Sequence, residues 1–235
     1  MVTSMVNLDG FTQKSTEELK QAVLRLVTGR DSNSLAQKNQ FYKTELAVLF
    51  AELQQRNPVP VASDQASLVQ GVWLSLWSTI PFQDIFPGRI RDQSYQIFHP
   101  DGYYANMARY APGSRLPLLK NLSSWLVAYD FMLIQRYEVK NQQWLIQNVG
   151  VEQALRIRAK PFTVDIADAW FTKAIASPKL TRLKHLDRTT TKKVEKILQA
   201  TPQLEHLYCD RDFRIVKTQR ESKQRASYTI AIRKF

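Results

Sequence analysis

The sequence predicts a mainly β (α+β) fold, an antiparallel β-barrel preceded by two N-terminal helices. Three observations predict it. Residues 15 to 56 carry an apolar period of helical type. The period switches to alternation after the connector "RNPVPVASD". About eight alternating segments then follow without a βαβ rhythm, the pattern of an antiparallel sheet that curls on itself. The helical segment is assigned to residues 1–60 and the barrel to residues 66–235, read together as one structural unit.

"STEELKQAVLRLVTGR" opens with Ser15 and Glu18 in capping-box spacing, repeats Leu19, Val23 and Leu26 on one face, and closes at Gly29. "SLAQKNQFYKTELAVLFAELQQRNP" places Leu35, Tyr42, Leu46, Leu49 and Leu53 on a second stripe and ends at Asn57-Pro58. "PVPVASD" reads as a short stiff connector. "GVWLSLW" is strand-like, bounded by Gly71 and Pro81. "QSYQIFHPDGYYANMARY" is a hairpin turning at His99-Pro100-Asp101-Gly102. "SSWLVAYDFMLIQRYEV" and "NQQWLIQNVGVEQALRIRA" form a long antiparallel pair joined near Lys140-Asn141. "DIADAWFTKAIA" and "TTTKKVEKILQATP" are helical, the second with Val194, Ile197 and Leu198 inward. "QLEHLYC", "DFRIVKT" and "ASYTIAIRKF" supply the last strands.

With 235 residues, 44% hydrophobic and 23% charged, the chain is long and apolar enough for its own core. Cys209 is the only cysteine, which rules out an intrachain disulfide and fits a reducing compartment. His99, His185 and His206 lie far apart and lack zinc spacing, so no metal is expected. No run of about 18 apolar residues is present. The N-terminus has no apolar h-region and carries Asp9, Glu17 and Glu18, so it reads as neither a signal nor a transit peptide. Gly-x-Gly and Walker-type loops are absent, leaving nucleotide chemistry no foothold.

No catalytic residue is expected. The histidines sit beside turn or apolar residues, and Asp165 and Asp168 read as helix-start acids. The net charge of +12 favours an anionic partner. It concentrates in two stretches, Lys179, Arg182, Lys184, Arg188, Lys192 and Lys193, then Arg220, Lys223 and Arg225. Near an anionic bilayer each such residue contributes about 1 kcal/mol. Nucleic acid is disfavoured, because the aromatics lie in the strands and not among the basic residues. Around Trp125 to Ile134 both strand faces are apolar. One face is expected under the N-terminal helices, the other in a filled interior or an apolar cavity. Trp77, Phe82, Phe86, Tyr95, Tyr103, Phe131 and Trp144 are the interior residues expected to meet a ligand. Arg214 is a cation placed to lie over the Trp73 ring.

Gly71-Val72-Trp73 opening the first strand is similar to the Gly-x-Trp of lipocalins. The closing stretch, with Tyr208, Asp210, Asp212, Arg214, Ile215 and the run Tyr228 to Ile232, resembles the plastid lipid-associated protein/fibrillin family. The helical pair, "RNPVP" and "LVQGVWLSLWST" resemble that family's opening, so the likeness spans nearly the whole chain. The basic loop after Arg214 departs from the tight glycine-containing turn of relatives. The resemblance implies a lipocalin-like barrel in a cyanobacterial-type member, peripheral on the cytoplasmic face of the thylakoid membrane. It implies non-enzymatic binding of an isoprenoid-type lipid, a carotenoid or quinone, with no cofactor required. Two alternatives stand beside it. One is a scaffold for photosynthetic complex proteins with a filled barrel and a protein partner on the basic face; the other is bilin lyase-like chromophore handling.

Overall fold

The computed structural model describes residues 13–81, 86, 88–111, 127–158, 160–177, 202–219 and 225–235. Helix α1, Thr16–Val27, starts on the expected capping box: Glu18 N donates to Ser15 Oγ (3.2 Å) and Ser15 N to Glu18 Oε2 (2.7 Å). It buries Leu19, Val23 and Val27. Helices α2, Leu35–Phe41, and α3, Ala47–Gln55, run into one another through a π-helical turn, Tyr42–Leu46. The wide turn rotates the apolar stripe. Leu46, Leu49 and Leu53 are fully buried, whereas Leu35, expected on the same face, is 39% exposed. The predicted connector contains a further helix, α4, Ala62–Leu68.

The strands are β1 Gly71–Ser78, β2 Arg89–Ile90, β3 Tyr95–Phe98, β4 Tyr103–Tyr110, β5 Val127–Lys140, β6 Gln143–Ile157, β7 Gln203–Cys209, β8 Phe213–Gln219 and β9 Ser227–Lys234. Helix α5, Val164–Ile175, lies between β6 and β7 in the chain. Among the described residues, β4-β3-β1-β9-β8-β7-β6-β5 pair in that order and β5 returns to β4, closing eight antiparallel strands into a ring. β2 extends the β3 side of β4. The hairpins turn where sequence placed them, with Gly102 at φ 83° and Asn141 and Gln142 at φ 51° and 61°. The seam is β6–β7, where among the described residues the register holds only Trp144↔Leu204 and Leu145↔Gln203. The helix expected from "TTTKKVEKILQATP" and the Trp125 end of the two-faced strand lie outside the described residues.

Two helical layers cover the ring from outside. α1 and α3, with Phe41 of α2, bury Trp77, Phe213, Ile215 and Ile230 against β1, β8 and β9. The outer face of β5 was expected under these N-terminal helices. It is covered instead by α5, whose Ala167, Phe171 and Ala174 pack on Ile97, Ala105, Met132 and Ile134. Strict alternation decides that a face is buried, but not which helix buries it.

One carboxylate ties the N-terminal layer to the ring. Asp31 Oδ1 accepts from Lys38 Nζ (2.9 Å) and Ser78 N (3.0 Å), and Oδ2 from Arg91 Nε (2.8 Å). Arg89 Nη1 lies 3.5 Å from the same oxygen, and Lys38 also donates to Ser78 O (3.0 Å). Burial alone would raise the Asp31 carboxyl, but Lys38 and Arg89 outweigh it and hold the group below its usual range. A depressed carboxyl stabilises the fold above its unfolded value of about 3.9, and that contribution is lost as pH falls through the lower folded value. Asp31→Asn should therefore cost about 3–5 kcal/mol at pH 7, because it strands buried cations. Urea denaturation at pH 7 and pH 3 checks this, with the gap between variant and wild type shrinking at the acid end.

Candidate ligand-binding site

The ring interior is filled at one end. There Trp73, Phe98, Tyr104, Trp144, Ile146, Cys209 and Ala231 pack with Ala62 and Val69 of the α4 segment. Trp73 Nε1 donates to Val69 O (2.7 Å), and Trp144 Nε1 to Gln65 Oε1 (3.0 Å) on α4. Arg233 donates to the carbonyls of Leu68, Gln70 and Arg211 and lies 4.3 Å from the Trp73 ring. Gly71, at φ 103°, has its missing Cβ position 3.0 Å from that guanidinium, so a side chain there would meet both strain and a neighbour.

Above this base lies a belt of polar side chains from five strands. Arg214 Nη2 donates to Gln96 Oε1 (2.5 Å), and Gln96 Nε2 donates to Asn106 Oδ1 (3.0 Å) and to Tyr104 Oη (3.1 Å). Asn106 Nδ2 donates to Gln135 Oε1 (2.7 Å), and Gln135 Nε2 to Asn148 Oδ1 (2.6 Å). Each of these amides turns its oxygen toward the arginine side and its nitrogen away. A buried cation at one end of the chain sets that orientation.

Arg214 is 1% exposed and stacks between Trp73 and Phe98, each ring centre 4.6 Å away. This is the cation–ring contact suggested by the sequence. Burial pulls the guanidinium down to about 10, so it is charged at neutral pH. The nearby cation of Arg233 lowers it further, and Tyr104 and Cys209 would oppose this only when ionised. Its Nε and Nη1 have no hydrogen-bond partner among the described residues. Burial first, and Arg214 second, push His206 well below its ordinary value, leaving a neutral imidazole against Trp144 at 4.9 Å. Burial also lifts the Tyr104 phenol to about 12 and the Cys209 thiol to about 11.

Over the belt opens a cavity of about 220 Å³. Its apolar wall includes Ala108, Phe131, Leu133, Ile146 and Val216; its polar lining includes Ser75, Gln96, Asn106, Gln135, Arg214 and Thr229. Among the described residues no Asp or Glu lines it, whereas Arg89, Arg214 and Arg225 all do. Beside the Phe131 wall Phe86 packs edge-on against Tyr110, Tyr129 and Phe131, with ring centres at 5.3, 4.9 and 6.2 Å.

The expected site residues divide. Phe131 lines the cavity and Phe86 borders it. Tyr95 is at its edge, but its phenol donates to Phe162 O (2.9 Å) under α5. Tyr103 packs outside the ring beneath Arg136, and Trp144 belongs to the filled base. Trp77 is on the outer face against Phe41, not in the interior. A bulge between Ser75 and Trp77 adds one residue to β1 and reverses its facing from there on. Asp210 is also external: it accepts from Asp212 N and Phe213 N at the β7–β8 turn and from Lys20 Nζ (2.7 Å) of α1. Asp212 O receives Arg233 N (2.9 Å). Arg225 is exposed on the cavity rim. Phe82, Lys179, Arg182, Lys184, Arg188, Lys192, Lys193, Arg220 and Lys223 lie outside the described residues. Gln96, Asn106, Gln135 and Asn148 were missed; the signal was a polar residue at mid-strand in each of four apolar segments.

No protein-family model matches this chain, and no curated protein matches it either. The site therefore rests on its own geometry. Arg214→Ala removes two ring contacts and leaves a void, so it should cost about 2–5 kcal/mol. Arg214→Met keeps the bulk and removes the desolvated charge, so it should fall within about 1 kcal/mol of wild type or above it. Urea denaturation of both variants tests the pair of outcomes.

Proposed function

We propose that the eight-stranded ring is a lipocalin-like barrel and that the protein is a non-enzymatic binder of an amphipathic small molecule of isoprenoid type. The observation that carries this reading is the half-filled interior: an aromatic base, a polar belt, and an open cavity with apolar walls. The resemblance to the plastid lipid-associated protein/fibrillin family supplies the ligand class, carotenoid or quinone. A volume of about 220 Å³ is below the roughly 300–1,000 Å³ that encloses a drug-sized ligand. The cavity thus takes a polar head and the first part of a chain, which favours a quinone over an enclosed carotenoid. Burial of the chain adds about 25 cal/mol per Å² of apolar surface. Titration with a short-chain plastoquinone analogue, followed by tryptophan fluorescence, should saturate; a response that never saturates removes the pocket reading.

The same reading puts the protein at the surface of a photosynthetic membrane. Support comes from the β5–β6 ribbon beyond the ring. Leu155 and Ile157 are 67% and 74% exposed, flanked by exposed Arg156, Arg158 and Lys160. Leu155 pairs with Tyr129 and Ile157 with Val127, so the apolar face that lines the cavity continues outward along the ribbon. Among the described residues no helix is long and apolar enough to cross a membrane. Vesicles containing anionic lipid should carry the protein in flotation at low salt and release most of it at about 0.5 M salt, as exposed charges are screened. Leu155→Ser with Ile157→Ser should weaken flotation at both salt levels.

A further inference from the structure

The belt is built around a charge that no described residue neutralises. A guanidinium 1% exposed, bonded to no carboxylate among the described residues, bears a large desolvation penalty. Stacking between two rings and one bond to Gln96 offset part of it. Nε and Nη1 carry most of the guanidinium's N–H donors and have no partner among the described residues. A structural side chain at this position needs only bulk and an apolar surface. A cation that lines an apolar-walled cavity with no carboxylate among the described lining residues is complementary to an anion.

The geometry points to Arg214 as the anchor for the carboxylate of a monoacid whose short apolar chain lies along Phe131, Leu133, Ile146 and Val216. The assignment rests on the binding reading above, keeping its isoprenoid chain and putting an acidic head in place of the neutral quinone. A planar carboxylate accepts several N–H donors at once, and a charge-assisted bond of this kind is about twice as strong as a neutral one. The amides of Asn106 and Gln135 line the same cavity, and each has a second N–H beyond its bond in the belt that can donate to the other carboxylate oxygen. Arg225 on the rim adds positive potential along the entry path.

The test is calorimetric titration of the full-length protein with geranate, methyl geranate and geraniol, which share a prenyl chain and differ in the head. The acid should bind saturably, and the ester and alcohol about 10–100-fold more weakly. In Arg214→Met the preference for the acid should vanish while binding of the ester persists, and Arg214→Lys should keep a reduced preference. Equal affinity for acid and ester in the wild type overturns the carboxylate assignment and leaves the apolar-ligand reading standing. A preference for the acid that survives in Arg214→Met overturns the role of Arg214. No binding of any of the three overturns both readings. If Arg214→Met fails to fold, the wild-type comparison of acid with ester still decides.

Discussion

A buried guanidinium with no carboxylate partner among the described residues, inside a closed ring of strands, is the constraint around which the interior is arranged. Arg214 enters from β8, is gripped by Trp73 of β1 and Phe98 of β3, and orients a run of amides that crosses to β6. Those amides could serve as neutral core filler only if each were satisfied, and the hydrogen-bonded chain satisfies them one after another. The charge itself is not satisfied in the same way. A ring this wide can be filled entirely by its own side chains, as an eight-stranded closed sheet is just broad enough to do. Here the filling stops at the arginine, and the cavity begins there.

Holding such a charge requires a rigid frame, and the frame is supplied from outside. Helices α1 and α3 press on β8 and β9, while α5 presses on β3, β4 and β5. α4 closes the base through Gln65, which accepts from Trp144 and donates to Val59 O (2.8 Å). Asp31 fastens the N-terminal layer to the end of β1 and to the β2 segment, with both carboxylate oxygens engaged. A second buried carboxylate, Asp130, grips Arg109 through both oxygens (2.6 and 2.8 Å), on the side where α5 packs. Among the described residues the shortest joint of the ring is the two-pair β6–β7 seam, beside Pro202 and Leu204 of the cavity lining.

Local patterns made the strands and the first helix legible. Ser15 and Glu18 announced a cap, His99 to Gly102 a turn, and alternation announced the faces of β3 to β6, because each of these depends on residues a few positions apart. What stayed hidden depends on distance or on a single inserted residue. The Ser75–Trp77 bulge reversed the facing of Trp77, and no tripeptide pattern marks a bulge. The π-turn at Tyr42–Leu46 moved Leu35 off the buried stripe. Helix α4 was masked by the prolines before it, although "ASDQASL" has the composition of a helix. The partners of Asp31 lie 7, 47 and 60 residues away, and nothing local selects among so many cations. Half of the candidate site was visible, in Phe131, Phe86, Arg214 and Trp73. The belt of amides was not, because each polar residue taken singly looks like a solvent-facing position.

The interior and the exposed tip of the ribbon are parts of one surface. Phe131, Tyr129 and Leu155 follow one another along the same face of β5 and β6, leading from the cavity wall to a tip that is apolar and flanked by cations. A molecule with an apolar chain and a polar head meets a graded path along it. The chain can remain on aromatic and aliphatic surface throughout, while the head exchanges water for the belt only at the end. That order matters energetically. Apolar burial grows steadily along the path, whereas the electrostatic gain arrives in one step, in a region of low dielectric where a guanidinium interacts most strongly. A head with no charge would complete the same path without that final gain. The difference between the two is therefore set at one side chain, Arg214, and not by the shape of the cavity.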